Sequence, residues 1–128
     1  WRGALGGVLE ATVDAMIEQG ERADNIAAAI VSMIGPNSYE VGPEFPAPFL
    51  EQETGNAVFF QAAAKSGHFL FDLPGYIAAR LARLGLGDIL RLDADTCHDE
   101  ANFFSYRRSC HRGEGDYGRM LSTIVLES

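Results

Sequence analysis

The segment from Asp95 to Met120 gathers most of the side chains in this sequence that could do chemistry. It holds both cysteines, two of the three histidines and four arginines. At its centre, the aromatic-rich residues 103–106 lead directly into Arg107 and Arg108. Guanidinium groups donate planar, bidentate hydrogen bonds that suit carboxylates and phosphates, and an aromatic ring beside them offers a face to a base or a sugar. The segment therefore indicates either a site for a small anion or an edge strand with a solvated arginine pair.

The charge balance favours a small anionic ligand, or ion pairs within the protein, over a nucleic acid. The net charge is −8, from 10 basic and 18 acidic residues, whereas a nucleic-acid surface needs clustered positive charge. No apolar run approaches the roughly 20 residues of a membrane span. Two cysteines are too few for a disulfide scaffold, which favours a reducing compartment. We therefore expect a cytoplasmic protein with a small-molecule partner, and neither a membrane nor a nucleic acid as partner.

Two Cys-His pairs, Cys97-His98 and Cys110-His111, raise the question of a zinc site, because thiolate and imidazole are the ligands that zinc prefers. The close Cys-x₂-Cys spacing of zinc sites is absent, and adjacent side chains on extended backbone point to opposite faces. A Cys97 nucleophile would need a base within hydrogen-bond reach, which adjacency in sequence does not supply. We therefore predict no metal ligand in this chain, and a structural role for His68.

Arg2 is a further candidate for anion binding. It directly precedes a helical pattern, and the free N–H groups and dipole at a helix N-terminus favour an anion. An ion pair with a neighbouring carboxylate is the alternative role.

The elements that must position these groups alternate between helices and strands. Helical spacing of apolar residues predicts a first helix at 4–19. Asp72 and Pro74 are suited to start a second helix, which Gly85 ends. A continuous apolar run at 26–34 predicts a strand buried on both faces. The other predicted strands lie at 68–71, 88–92, 103–107 and 120–126, with a proline-rich loop at 35–48, a short helix at 49–52 and an ambiguous stretch at 57–64. The pattern predicts α/β layering.

Several motifs, which occur in one order along the whole chain, resemble the YfiH-type family. They are Trp1-Arg2-Gly3 followed by Gly-Val-Leu-Glu, Gly35-Pro36 with Tyr39-Glu40-Val41-Gly42, Phe71-Asp72-Leu73-Pro74, and Phe103-Phe104-Ser105-Tyr106-Arg107-Arg108 with Gly118-Arg119. That family was long labelled multicopper polyphenol oxidoreductase, or laccase domain, and is now associated with purine nucleoside phosphorolysis. The resemblance implies a mixed-sheet layered sandwich within a four-layer α/β/β/α fold. Residues 1–128 would be a single domain or the C-terminal half of a larger one.

The resemblance also implies an activity for the full-length parent protein. The expected reaction is phosphorolysis of adenosine, inosine, guanosine or methylthioadenosine to a base and ribose 1-phosphate, with adenosine deamination as a further, hydrolytic activity. A copper-dependent polyphenol oxidase is the alternative enzyme. For the chain alone, the alternative is a non-catalytic module that binds an anion or a partner, and exposed apolar surface would favour self-association.

The metal that the resemblance implies is zinc, held by two His and one Cys. The family sequence opens His-Ala-Gly-Trp-Arg-Gly, so its first His would lie just upstream of Trp1 and the other ligands further back. The family loop after Gly35-Pro36 is also longer than the one here, which leaves the role of this loop open.

The chemistry of phosphorolysis suggests roles for five side chains. A phosphate must be held near an anomeric carbon, and the charge that develops during cleavage must be stabilised. Arg2, Arg107 and Arg108 are candidate phosphate donors, and Tyr39 and Tyr106 are candidates for lining a base or ribose pocket. On the predicted strand the adjacent arginines point to opposite faces. We expect Arg107 to be the structural member of the pair and Arg108 to face the ligand.

Overall fold

The N-terminal helical pattern forms two helices in the computed structural model, which describes residues 1–125. Helix α1 spans Arg2–Leu5 and helix α2 spans Val8–Glu18. Gly7 separates them with a φ of 86°, a left-handed conformation that strains any residue with a Cβ. The prediction of one continuous helix at 4–19 is therefore wrong. Of its apolar stripe, Val13 is buried but Met16 and Ile17 are exposed.

The rest of the chain alternates short strands with helices. In chain order the elements are β1 (Ala27–Ile30), β2 (Glu40–Val41), α3 (Ala47–Gln52), β3 (Phe60–Ala62), β4 (Phe69–Phe71), α4 (Leu73–Ala82), β5 (Asp88–Arg91) and α5 (Tyr106–Arg112). Turns of 3₁₀-helix cover Ala23–Asn25, Pro36–Ser38 and Thr54–Phe59. No helix within residues 1–125 is long and apolar enough to cross a bilayer.

The strands form two sheets of different kinds. Strands β1 and β5 pair in parallel, whereas β2, β4 and β3 form an antiparallel sheet in that order. The predicted mixed α/β architecture is thereby confirmed. Strand β1 is shorter than the predicted strand at 26–34, and the prediction that it is buried on both faces is wrong. Ala27 and Ala29 are exposed while Ile30 is buried, because α4 packs against one face of the strand.

Local capping signals decide where the later helices begin. The Asp72 side chain accepts a hydrogen bond from the Gly75 N–H at 2.8 Å and caps α4 as predicted. The predicted strand at 103–107 is wrong, because Ser105 caps α5 by accepting from the Arg108 N–H at 3.3 Å. Residues 120–125 form no strand, and Leu126, the end of the last predicted strand, lies outside the described residues. The short helix at 49–52 is confirmed, as the end of α3, and the ambiguous 57–64 contains β3.

An aromatic core holds α1, α3 and α4 against the antiparallel sheet. Phe49 and Phe71 are fully buried (0 % exposed) and their ring centroids are 4.9 Å apart. Phe60 stacks on Phe71 at 4.7 Å. Aromatic pairs at such distances stabilise a core beyond the area that they bury. At the rim of this core, Tyr39 packs on Phe71 at a centroid distance of 5.7 Å, so the core fixes the start of β2.

Candidate functional site

Three arginines stand apart from the others because they have no carboxylate partner. Within residues 1–125, six of the nine arginines form ion pairs with aspartate or glutamate, namely Arg22, Arg80, Arg83, Arg91, Arg112 and Arg119. Arg2, Arg107 and Arg108 form none in that part of the chain. In a protein with 18 acidic residues, a guanidinium without a carboxylate is a candidate for an external anion.

Within residues 1–125, the Arg107 guanidinium makes one hydrogen bond and keeps its other N–H donors free. Its Nη1 donates to the Glu40 carbonyl oxygen at 2.6 Å, which ties α5 to β2. Its guanidinium carbon lies 5.1 Å from the ring centroid of Tyr39, within cation–π range. A guanidinium has five N–H donors in a fixed fork. Arg107 is therefore oriented by the protein and still able to bind a ligand.

Arg2 lies in α1, next to the ring of Trp1. The prediction that Arg2 precedes a helix is wrong, since Arg2 is the first residue of a four-residue helix. The Arg2 guanidinium carbon lies 5.1 Å from the centroid of the Trp1 ring. Burial raises the pKa of the Tyr39 phenol, while the positive charges of Arg107 and Arg2 act in the opposite direction. Since burial prevails, the phenol is neutral at physiological pH and can donate its O–H. Arg107 therefore lies against Tyr39, whereas Arg2 affects this phenol only through its charge.

Tyr39 and Arg107 border a cavity of about 650 Å³ between the aromatic core and the start of α5. Such a volume lies within the usual range for small-molecule sites. Aromatic rings supply much of its wall, from Trp1, Tyr39, Phe45, Phe104 and Tyr106, and Arg107 adds a positive charge. Tyr106 is 64 % exposed and contacts Tyr117 at a centroid distance of 5.1 Å. The cavity therefore combines stacking faces with a cationic edge.

Arg108 turns away from this cavity. Its Nη1 donates to the carbonyl oxygens of Thr96 at 2.8 Å and Cys97 at 3.1 Å, and its Nη2 donates to that of Phe103 at 2.5 Å. These contacts reverse the order expected for the arginine pair, because the predicted strand is a helix. Arg107 faces the aromatic cavity, and Arg108 is engaged with the backbone.

Asp95 organises the neighbouring turn and was not identified from sequence. Its carboxylate accepts hydrogen bonds from Ser38 Oγ at 2.5 Å, from the Cys97 N–H at 2.9 Å and from the His98 N–H at 3.3 Å. Burial alone would raise the pKa of Asp95, but these donors and the Gly35 N–H lower it below its usual value. A Cβ on Gly35 would lie 2.7 Å from Asp95 Oδ2, so only glycine fits there. An Asp two residues before a turn N–H is a recognisable signal.

The described residues do not fit the zinc site that the family implies. Within residues 1–125, no group of three or more His, Cys, Asp or Glu side chains is arranged to hold a metal ion. Cys97 is half-buried and Cys110 is exposed, and both are free thiols. His68 Nδ1 lies 3.3 Å from the Ser66 carbonyl oxygen in a turn, away from the cavity lining.

Comparison with known proteins places this geometry in a family. The family model described as multi-copper polyphenol oxidoreductase laccase matches residues 1–127. A purine nucleoside phosphorylase of Rickettsia conorii is 33 % identical over 127 residues, which are 99 % of this chain and 52 % of the relative. The purine nucleoside phosphorylase YfiH of Escherichia coli is 36 % identical over 127 residues, 98 % of this chain and 48 % of the relative. The chain thus spans about half the length of these curated relatives.

A solved structure supports the same grouping. The Neisseria meningitidis protein NMB0706 superposes with a TM-score of 0.74 at 32 % identity, over 84 % of this chain and 43 % of that chain. Sequence and fold therefore agree over most of the described residues. On this evidence, the chain belongs to the multi-copper polyphenol oxidoreductase laccase family, the YfiH-type family that its motifs resemble.

Proposed function

We propose that this chain forms part of a purine nucleoside phosphorylase and contributes the phosphate-binding edge of its active site. The observation that carries the proposal is the position of Arg107, which has no carboxylate partner in residues 1–125, against the ring of Tyr39 at the edge of the aromatic cavity. Guanidinium and phenol donors of this kind are suited to binding inorganic phosphate. The names of the relatives, purine nucleoside phosphorylases, supply the reaction class.

The residues of the chain account for part of the reaction. Arg107 and Arg2 bind phosphate through charge-assisted hydrogen bonds, and Tyr39 donates to the same anion. A phosphate oxygen then forms a bond to the anomeric carbon of the sugar while the bond from that carbon to the base nitrogen breaks. The departing base takes the proton that hydrogen phosphate carried, so the reaction balances without a further reactant. Fixed positive charge stabilises the anion as the sugar becomes cationic in character.

The aromatic wall of the cavity offers a surface on which the purine base can stack. Trp1, Tyr106 and Phe104 offer ring faces or edges at the cavity, and every base has a π-face that can stack on such rings. Stacking tolerates different substituents on the purine ring. We therefore extend the proposal to adenosine, inosine, guanosine and methylthioadenosine as substrates.

The proposal assigns no step to a metal. The two His and one Cys that the resemblance implies as zinc ligands are not assembled among the described residues, and adenosine deamination would belong to that zinc centre. The residues described in this chain supply phosphate binding and the stacking surface. Arg108 donates to the backbone carbonyl oxygens of Thr96, Cys97 and Phe103 beside them.

The test uses full-length protein with adenosine, in the presence and absence of phosphate. We expect adenine and ribose 1-phosphate to form only when phosphate is present. Replacement of Arg107 by Met should raise the KM for phosphate, whereas Arg112→Lys, on the same helix in an exposed ion pair with Glu100, should not. Base release that is independent of phosphate would refute the proposal. Uptake of oxygen with a phenolic substrate by copper-loaded protein would instead support the oxidase that the family description names.

A further inference from the structure

Two adjacent arginines on α5 hold different parts of the chain. Arg107 donates to the Glu40 carbonyl oxygen at 2.6 Å, in the strand that follows Tyr39. Arg108 donates to the carbonyl oxygens of Thr96, Cys97 and Phe103. Helix α5 is therefore clamped between β2 on one side and the segment 96–103 on the other.

The segment 96–103 is itself attached to the loop that carries Tyr39. The Thr96 N–H donates to the Met33 carbonyl oxygen at 2.9 Å, and the Met33 N–H donates to the Ala94 carbonyl oxygen at 3.3 Å. Asp95 adds the bond from Ser38 Oγ at 2.5 Å. The loop, the segment and α5 thus form a closed set of contacts. Arg108 links the segment to the helix through backbone carbonyl oxygens, and the exposed Arg112–Glu100 ion pair is a second link between them.

The chemistry of Arg108 suits this position better than a lysine would. Its three acceptors are neutral carbonyl oxygens, and Thr96 is buried, so removal of the donors leaves polar groups unsatisfied. The planar fork of a guanidinium reaches several acceptors in fixed directions, whereas an ammonium is a point charge on a flexible stem. A lysine at 108 would keep the charge of the helix but lose the geometry of the link.

We propose that Arg108 is a positioning residue, which sets the orientation of α5 so that the Arg107 guanidinium faces Tyr39 and the aromatic cavity. This inference rests on the proposed function, since its effect on phosphate passes through Arg107 alone. Ser38 belongs to the same set of contacts, because its hydroxyl donates to the Asp95 carboxylate.

The first measurement compares Arg108→Lys with Arg112→Lys in the full-length protein. Misplacement of a binding group by about 1 Å can cost on the order of 100-fold, so we expect kcat/KM for phosphate to fall by roughly 10- to 100-fold in Arg108→Lys. The KM for the nucleoside should change less than the KM for phosphate, because Tyr106 is the one proposed stacking ring that belongs to α5, while Trp1 and Phe104 lie outside it. Arg112→Lys should stay within about twofold of wild type, as exposed ion pairs contribute little.

A double-mutant cycle separates positioning from a structural role. In the background of Arg107→Met, the change Arg108→Lys should have almost no further effect on phosphate use, since the group that it positions is gone. Equal fold-losses in both backgrounds would overturn the inference. Ser38→Ala is the milder second variant if Arg108→Lys does not fold, and its effect should likewise disappear when Arg107 is replaced.

The same cycle also works by binding alone, with inorganic phosphate as the probe. Binding to the native state raises the melting temperature, so the four proteins of the cycle can be compared by the shift that phosphate produces. Coupled shifts without phosphorolysis would support the positioning of Arg107 and refute the proposed function. Phosphate-dependent turnover with additive effects would refute the positioning and leave the function standing. A wild type that shows neither turnover nor a shift would refute both.

Discussion

Replacement of Asp95 by Asn tests the turn at residues 95–98, which is hydrogen-bonded to Gly35 and Ser38. In the native state the carboxylate accepts from Ser38 Oγ, from the Cys97 and His98 N–H groups and from the Gly35 N–H. Hydrogen bonds to a charged group contribute about 1.5–3 kcal/mol each. An amide keeps one acceptor oxygen but places an NH₂ against one or more of these donors. Because the site is only partly buried, we expect a loss of about 2 kcal/mol in the free energy of unfolding at pH 7.

The pH dependence of this loss has a definite sign. The pKa of Asp95 is lowered in the folded state, so the carboxylate contributes stability that is complete above the unfolded-state pKa of about 3.9. That contribution is lost as the pH falls through the lower folded-state pKa. The difference between wild type and Asp95→Asn should therefore be the same at pH 7 and pH 5 and should shrink at more acid pH.

Urea unfolding of the full-length protein at several pH values measures this difference, from midpoints at a common slope. Asp116→Asn is the matched control, since Asp116 forms an exposed ion pair with Arg119 and should change stability by less than about 1 kcal/mol. A variant at position 95 as stable as wild type at pH 7 would refute the account of the turn. So would a stability difference that does not decline in acid.

Three further predictions, one of which compares two substitutions, test other parts of the structure. Arg107→Lys loses the planar fork, so kcat/KM for phosphate should fall by roughly 10- to 100-fold in initial-rate assays; an unchanged value would remove Arg107 from the site. Phe49→Ala leaves a hole in a fully buried cluster and should lower the free energy of unfolding by about 3–5 kcal/mol. Phe104→Ala, at a ring that is 56 % exposed, should cost clearly less, and equal losses would contradict the assigned core. Gly7→Ala forces a Cβ into a φ of 86° and should cost about 1–2 kcal/mol by thermal or urea unfolding, with no cost expected if α1 and α2 were one helix.

Local signals predicted the fold well wherever they were strong. Helix α4 was identified from Asp72 and Pro74, and the structure shows the Asp72 cap in place. Helix α5 was missed because the aromatic residues before Arg107 favour a strand. In the structure, the Ser105 cap and the left-handed Gly113 at the end of the segment fix a helix instead. The same two signals, read together, would have indicated a helix.

The candidate site was predictable in its chemistry but not in its arrangement. The arginines were identified by residue type, and Arg2, Arg107 and Arg108 are the three without a carboxylate partner in residues 1–125. Which of the adjacent pair faces the cavity depends on backbone carbonyl acceptors such as the Thr96 oxygen. Those acceptors belong to every residue alike and leave no mark in the sequence. Asp95 carries a local turn signal through its bond to the Cys97 N–H, but its bond to Ser38 joins residues far apart in the chain and could not be predicted from the sequence.

The central claim is that phosphate, held by Arg107 and Arg2, attacks the sugar of a purine nucleoside. Full-length protein incubated with adenosine and phosphate in ¹⁸O-enriched water tests it directly, because phosphorolysis and hydrolysis differ in the oxygen that reaches the anomeric carbon. The account predicts ribose 1-phosphate without ¹⁸O at that carbon, and a rate that falls in Arg107→Lys but not in Arg112→Lys. Free ribose that carries ¹⁸O, formed at the same rate without phosphate, would contradict it.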